Sequence, residues 1–126
     1  MGRTIGAVVA GVVLWGVLWN ALAYGLAGAG VVTIGEPITG VMVLLGMIAF
    51  SAVLSGVAGW VTAAIRGAPG AMAAVKALAV VNLLIGIAVE ATSWSLMPAW
   101  YHIVFLALVV PMTLVGGRMK AEAAAG

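Results

Sequence analysis

The chain has 126 residues, of which 66% are hydrophobic and only 6% are charged. Soluble domains carry about a quarter charged residues, so this composition excludes a water-soluble fold. There is no cysteine and the net charge is +2, which excludes disulfides, thiolate metal sites and a basic surface for nucleic acid. We therefore expect an integral membrane protein whose first partner is the lipid bilayer.

Four long apolar stretches, separated by short connections, predict four transmembrane helices. A bilayer core of about 30 Å requires about 20 helical residues, and continuous apolar runs are typical of helices rather than of barrel strands. Pro37 and Pro98 open the second and fourth stretches, and Gly116 and Gly117 close the fourth. In a single membrane domain 1–126, the helices are expected at about 5–27, 38–65, 72–91 and 98–115, with a cytoplasmic tail 116–126.

The positive charges predict the orientation. All five basic residues lie on one side if the chain crosses the membrane four times, and this side is cytoplasmic by the positive-inside rule. The other side has Glu36, Glu90 and His102. We therefore expect an all-α four-transmembrane-helix bundle with both termini in the cytoplasm, in a membrane of the bacterial inner or plasma type. The basic residues are Arg3, Arg66, Lys76, Arg118 and Lys120.

A second interpretation of the N-terminal segment is a signal peptide. Arg3, the apolar run behind it and the small residues Ala21 and Ala23 fit such a segment and its cleavage site. The apolar run continues past Ala23 to the length of a full span, which favours a retained helix. The other three helices keep the same orientation under either interpretation.

Polar residues recur at helical spacing in two helices. Asn82 and Glu90 share one face of the third helix, and Asn20 and Tyr24 share one face of the first. A carboxylate or carboxamide facing lipid is costly. We therefore expect both faces to point into the bundle and to form hydrogen bonds with each other.

Glu90 and His102 form the most promising ionisable pair. Each lies about one turn inside its helix, on either side of a short connection, so we expect them at similar depth on antiparallel neighbours. A hydrogen bond or an ion pair between them predicts a proton-responsive site, because ionisable groups inside membranes often mark ion or proton pathways. The alternative is that each lies at the headgroup level and is hydrated.

Glu36 is predicted to cap the second helix, where its carboxylate meets the positive end of the helix dipole. A metal site formed by Glu36, Glu90 and His102 is a further alternative, but no metal-binding motif supports it, and we expect no metal and no other cofactor. Aromatic residues near the second extracytoplasmic connection fit an interfacial belt or, alternatively, the lining of a pocket. They are Trp94, Trp100 and Tyr101.

Small residues form ridges on two helices. Ser51, Ser55 and Gly59 lie on one face of the second helix. The first helix offers two such ridges, one of Gly2, Gly6 and Ala10 and one of Ala7 and Gly11. Such ridges let helix backbones approach closely, either inside a bundle or between copies in a homo-oligomer.

Two functional hypotheses follow. The first is that the protein binds or transports a small solute or ion through a polar site in the extracytoplasmic half. The second is a non-catalytic accessory or assembly subunit of a larger membrane complex. An enzyme is less expected, because one histidine and no cysteine leave few nucleophiles or bases. The candidate site residues are Glu90, His102, Asn20, Tyr24, Asn82 and Glu36.

Overall fold

The structure, a computed structural model, describes residues 2–125 of the chain. Within these residues the chain is all-helical, and four helices are long and apolar enough to span a membrane, as the sequence predicts. A short 3-10 turn, Trp94–Leu96, precedes the last helix. Met1 and Gly126, the two ends of the expected domain, lie outside the described residues. The helices are α1 (Gly2–Gly28), α2 (Val41–Arg66), α3 (Ala71–Thr92) and α4 (Ala99–Ala125).

The second helix begins at Val41, three residues later than expected, and Glu36 does not cap it. Its N-cap is Gly40, which makes no side-chain capping bond. The segment in front of the helix stays non-helical, and the backbone N–H of Ile38 donates to the carbonyl oxygen of Leu96 at 2.7 Å. Because this bond links the connection between α1 and α2 to the 3-10 turn, the residues after Pro37 are held outside the helix.

The fourth helix continues to Ala125 instead of ending at Gly116 and Gly117. Residues 119–125 are mostly Ala, Met, Lys and Glu, which are strong helix formers. Gly116 and Gly117 do not end the helix; they allow α4 to pack closely against its neighbours. A Cβ atom on Gly116 would overlap the backbone of Gly56, and one on Gly117 would overlap the side chain of Val75.

The small-residue ridge on α2 faces the interior of the bundle. Ser51, Ser55 and Gly59 are all buried, and Gly59 lies against the carbonyl oxygen of Thr113 on α4. Of the helix pairs, α2 and α4 are in the most extensive contact. Small side chains allow this approach, which dispersion forces then stabilise.

On α1 the predicted ridge of Ala7 and Gly11 faces the interior of the bundle, whereas Gly2 and Gly6 of the other ridge remain exposed. The buried residues are Ala7, Gly11 and Trp15, spaced by one helical turn. Thr62 on α2 donates from its hydroxyl to the carbonyl oxygen of Ala7 at 3.1 Å, deep in the bundle. Through this face α1 packs against α2 and α3.

Candidate functional site

Glu90 and His102 meet in the interior of the bundle. Glu90 is 2% exposed and His102 is fully buried, and Glu90 Oε2 forms a direct hydrogen-bonded contact with His102 Nδ1. One turn deeper, Gly86 on α3 lies against Phe105 and Leu106 on α4, so the two helices approach closely enough for the side chains to touch. The structure therefore brings this predicted pair together, with both side chains buried among protein atoms.

The second nitrogen of His102 is also engaged. His102 Nε2 lies 3.0 Å from the carbonyl oxygen of Trp94 in the 3-10 turn. The Trp94 ring stacks on the imidazole, with centroids 4.6 Å apart and planes inclined by 15°. The Tyr101 ring meets the imidazole edge-on at 5.7 Å. These contacts hold the ring in one orientation.

These partners determine how many protons the pair holds. A carbonyl oxygen only accepts, so Nε2 of His102 carries a hydrogen and donates to Trp94. Nδ1 then either accepts from a protonated Glu90 or donates, as an imidazolium, to its carboxylate. In both forms one proton lies between the two side chains and the pair is electrically neutral. A buried pair of this kind avoids the large penalty of an isolated charge in an apolar medium.

A cavity of about 160 Å³ lies beside this pair, beneath the connection between α1 and α2. Its acidic lining residues are Glu90 and Glu36, and most of the others are apolar. Trp19 contributes an aromatic wall and Leu96, from the 3-10 turn, another side. The cavity thus has an apolar lining with carboxyl groups as its ionisable members.

Asn20 and Tyr24 do not join the site, and the expectation that their face points inward is wrong. Tyr24 is 66% exposed. Asn20 lies on the outer surface, where its amide donates to the carbonyl oxygen of Gly16 in its own helix at 2.8 Å. This local bond satisfies the donor without another helix. The face of α1 that packs inward is the one carrying Trp15 and Trp19, so the hydrogen bonds expected between the two polar faces do not form.

The other candidate residues lie at three different places. Asn82 is fully buried in the middle of α3, and neither of its side-chain polar atoms has a partner among the described residues. Trp100 is 39% exposed at the start of α4, as an interfacial residue would be. Tyr101 is fully buried beside His102, and Trp94 covers the imidazole. Of the three aromatic residues, Trp94 and Tyr101 therefore contact the Glu90–His102 pair, and Trp100 does not lie against it.

Sequence reasoning missed an aromatic cluster beneath the site. Phe105 is buried between the rings of Trp15, Trp19 and Tyr101, with centroid distances of 6.5, 5.4 and 6.1 Å. The spacing of four between Trp15 and Trp19, and between Tyr101 and Phe105, is a helical signal that could have indicated two shared faces. One member of the cluster, Trp19, also lines the cavity beside the Glu90–His102 pair.

The three side chains of the alternative metal site do not come together at one point. Within residues 2–125 no group of three or more His, Cys, Asp or Glu residues lies close enough to hold a metal ion. The alternative metal site of Glu36, Glu90 and His102 is therefore not formed.

Comparison of the chain with protein-family models, with curated proteins and with solved structures finds no match. Functional inference for this protein therefore depends on the geometry of its own residues.

Proposed function

We propose that the protein crosses a membrane of the bacterial inner or plasma type four times, with both termini in the cytoplasm. Support comes from the clustering of basic residues at one end of the bundle. Arg3 donates to the carbonyl oxygen of Ile65 at 2.8 Å, and Arg66 donates to the hydroxyl of Thr4 at 2.7 Å. The positive-inside rule assigns this end to the cytoplasm.

We propose further that the protein binds a small, positively charged solute of the ammonium class in the extracytoplasmic cavity. The observation that carries this proposal is that Glu90, a buried carboxyl group inside a span, lines that cavity. Glu36 adds a second carboxyl group to the lining, and Trp19 offers an aromatic face of the kind that attracts cations. Pockets for drug-sized ligands enclose about 300–1,000 Å³, so a cavity of about 160 Å³ suits a smaller molecule.

Binding of such a cation is expected to displace one proton. The Glu90–His102 pair is neutral and holds one proton between Oε2 and Nδ1. A cation that binds the Glu90 carboxylate supplies the positive charge that the shared proton supplied before. Neutrality in the apolar interior is then kept if the proton leaves as the cation enters. Competition between cation and proton at one carboxylate is the elementary step of proton-coupled exchange.

The test is proton release from purified protein in lipid nanodiscs. Methylammonium or tetramethylammonium is added in weakly buffered solution, and a pH-sensitive dye reports released protons. We expect close to one proton per bound cation in the wild type, and no release from Glu90→Gln. Glu36→Gln is the comparison variant, because Glu36 lines the same cavity but shares no proton with His102. We expect it to weaken cation binding and to keep the ratio of one proton released per bound cation. Equal release from wild type and Glu90→Gln would contradict the proposal.

The second candidate function is an accessory subunit of a membrane complex. The observation that favours it is that α1 is the least buried of the four spans. Gly2 and Gly6 on its outer surface have no atom within 4 Å of the position where a side chain would begin. A partner helix could approach closely there. Purification of the native protein as a single monodisperse monomer, with no other subunit, would argue against this candidate.

A further inference from the structure

Inside the bundle, several polar atoms are buried without a hydrogen-bond partner among residues 2–125. They include the indole nitrogen of Trp15, the hydroxyl of Ser55 and both polar atoms of the Asn82 amide. Ser55 and Asn82 are fully buried and Trp15 is 3% exposed. Lipid offers no hydrogen bonds to replace those of water, so such atoms strongly favour any polar partner that can reach them.

The register of the helices places these three side chains close together. Gly11 on α1 lies against Thr62 on α2 and Leu78 on α3, so these residues share one level of the bundle. Trp15 and Asn82 each follow by four residues, one helical turn nearer the extracytoplasmic end. On α2, which runs the opposite way, residue 58 reaches that level. Ser55 is seven residues from Thr62 on the same face, about 4.5 Å beyond that level and within reach of a bridging molecule.

Phe105 gives an independent reference point. Its ring centroid is 6.5 Å from that of Trp15, and its Cε1 lies 3.6 Å from the Cβ position at Gly86. Gly86 is one turn above Asn82 on the same face of α3. Trp15 and Asn82 therefore both lie within about one helical turn of the Phe105 ring.

We infer that Trp15, Ser55 and Asn82 form a second polar site, and that this site binds water. An indole nitrogen only donates, whereas an amide and a hydroxyl both donate and accept. In the structure none of these atoms bonds to another, so a ligand that reaches them has to accept from the indole and also serve the amide and the hydroxyl. A ligand must therefore accept and donate at once, and the three side chains carry no charge to bind an ion. Water meets both conditions, and buried waters typically make about three bonds to such groups.

This site is separate from the extracytoplasmic cavity. Asn82 and Glu90 are eight residues apart on one helix, which corresponds to about 12 Å along its axis. The Phe105 ring lies beside Gly86, between the two levels. The water site therefore does not depend on the proposed binding of a cation at Glu90.

Side-chain isotope labelling offers a direct experiment, because the chain has only two asparagines and five tryptophans. We would label Asn amide and Trp indole nitrogens with 15N and record water-edited solid-state NMR spectra in lipid bilayers. The exposed Trp94 and Trp100 near the membrane surface are the positive controls. We expect transfer from water to both Asn82 and Trp15. If Trp94 and Trp100 show transfer while Asn82 and Trp15 show none, the inference is overturned.

Variants test whether the three residues hold the water together. Asn82→Leu removes the amide, and we expect the Trp15 indole to lose its contact with water. Ser55→Ala, a smaller change that is compatible with folding, should weaken water transfer to Asn82. Ser51→Ala is the matched control, because Ser51 is equally buried but donates to the carbonyl oxygen of Ile48 at 2.8 Å. Equal losses in Ser55→Ala and Ser51→Ala would contradict a role of Ser55 in the site.

Discussion

His102 lies between two oxygen acceptors, the carboxyl group of Glu90 at Nδ1 and the carbonyl group of Trp94 at Nε2. With both nitrogens engaged and the Trp94 ring on one face, the imidazole has no freedom to turn. The pair therefore holds its proton at a defined place next to the cavity. The pair therefore contributes to the stability of the bundle and is also the centre of the proposed function. The substitutions below test its contribution to stability.

Removing one member of the pair should be worse than removing both. In His102→Ala the Glu90 carboxyl group remains buried without its partner, and breaking a buried pair in this way costs about 3–5 kcal/mol. The double variant Glu90→Leu, His102→Phe replaces the pair by apolar groups of similar size and should be close to wild type in stability. Unfolding in mixed micelles measures both. Equal destabilisation by the single and double variants would show that the pairing is not what makes His102→Ala unstable.

Trp94→Ala should destabilise the protein more than Trp100→Ala. Both residues lie near the start of α4, but the Trp94 ring stacks on His102, whereas the Trp100 ring meets Tyr101 edge-on. Loss of an aromatic stacking partner costs about 0.5–1.5 kcal/mol beyond the area it buries. Thermal unfolding of the two variants side by side gives the comparison. The NMR signal of the His102 ring should shift in Trp94→Ala and stay in place in Trp100→Ala.

Gly59→Ala should destabilise the contact between α2 and α4. The added Cβ atom would overlap the carbonyl oxygen of Thr113, a backbone atom that cannot move independently, and overpacking of this kind costs about 1–3 kcal/mol. Gly46→Ala in the same helix is the control, since no atom lies within 4 Å of its Cβ position. Its stability should be unchanged or higher by up to about 1 kcal/mol. A destabilised Gly46→Ala would indicate a general intolerance of α2 to alanine.

Thr62→Val tests the hydrogen bond that joins α1 to α2. The Thr62 hydroxyl donates to the carbonyl oxygen of Ala7, and bonds between membrane helices contribute about 0.6 kcal/mol on average, with a maximum of about 1.7. Thr92→Val is matched in chemistry, but Thr92 donates within its own helix, to Val89 at 2.8 Å on the exposed surface. We expect only Thr62→Val to lower the free energy of unfolding measurably. Equal effects would mean that the interhelical bond contributes nothing.

Several features could be predicted from residues close in sequence. The short connection between α3 and α4 makes them antiparallel neighbours, and this placed Glu90 and His102 at the same depth. The predicted end of α4 at residue 115 is wrong, because Gly116 and Gly117 resemble a helix terminus in the sequence whereas the helix continues to Ala125. Their real partners, Gly56 and Val75, are far away in the chain, and no local pattern could reveal them.

The sequence by itself determined the four apolar helices and the segregation of all five basic residues, because these depend on length and composition along the chain. Only the tertiary structure decided which face of each helix turns inward. Asn20 and Asn82 are the same residue type in similar apolar surroundings, yet one lies on the surface and the other in the core. The physical reason is that lipid is as apolar as a protein interior, so a membrane helix shows little contrast between its two faces. Close packing of small residues, rather than hydropathy, then selects the buried face.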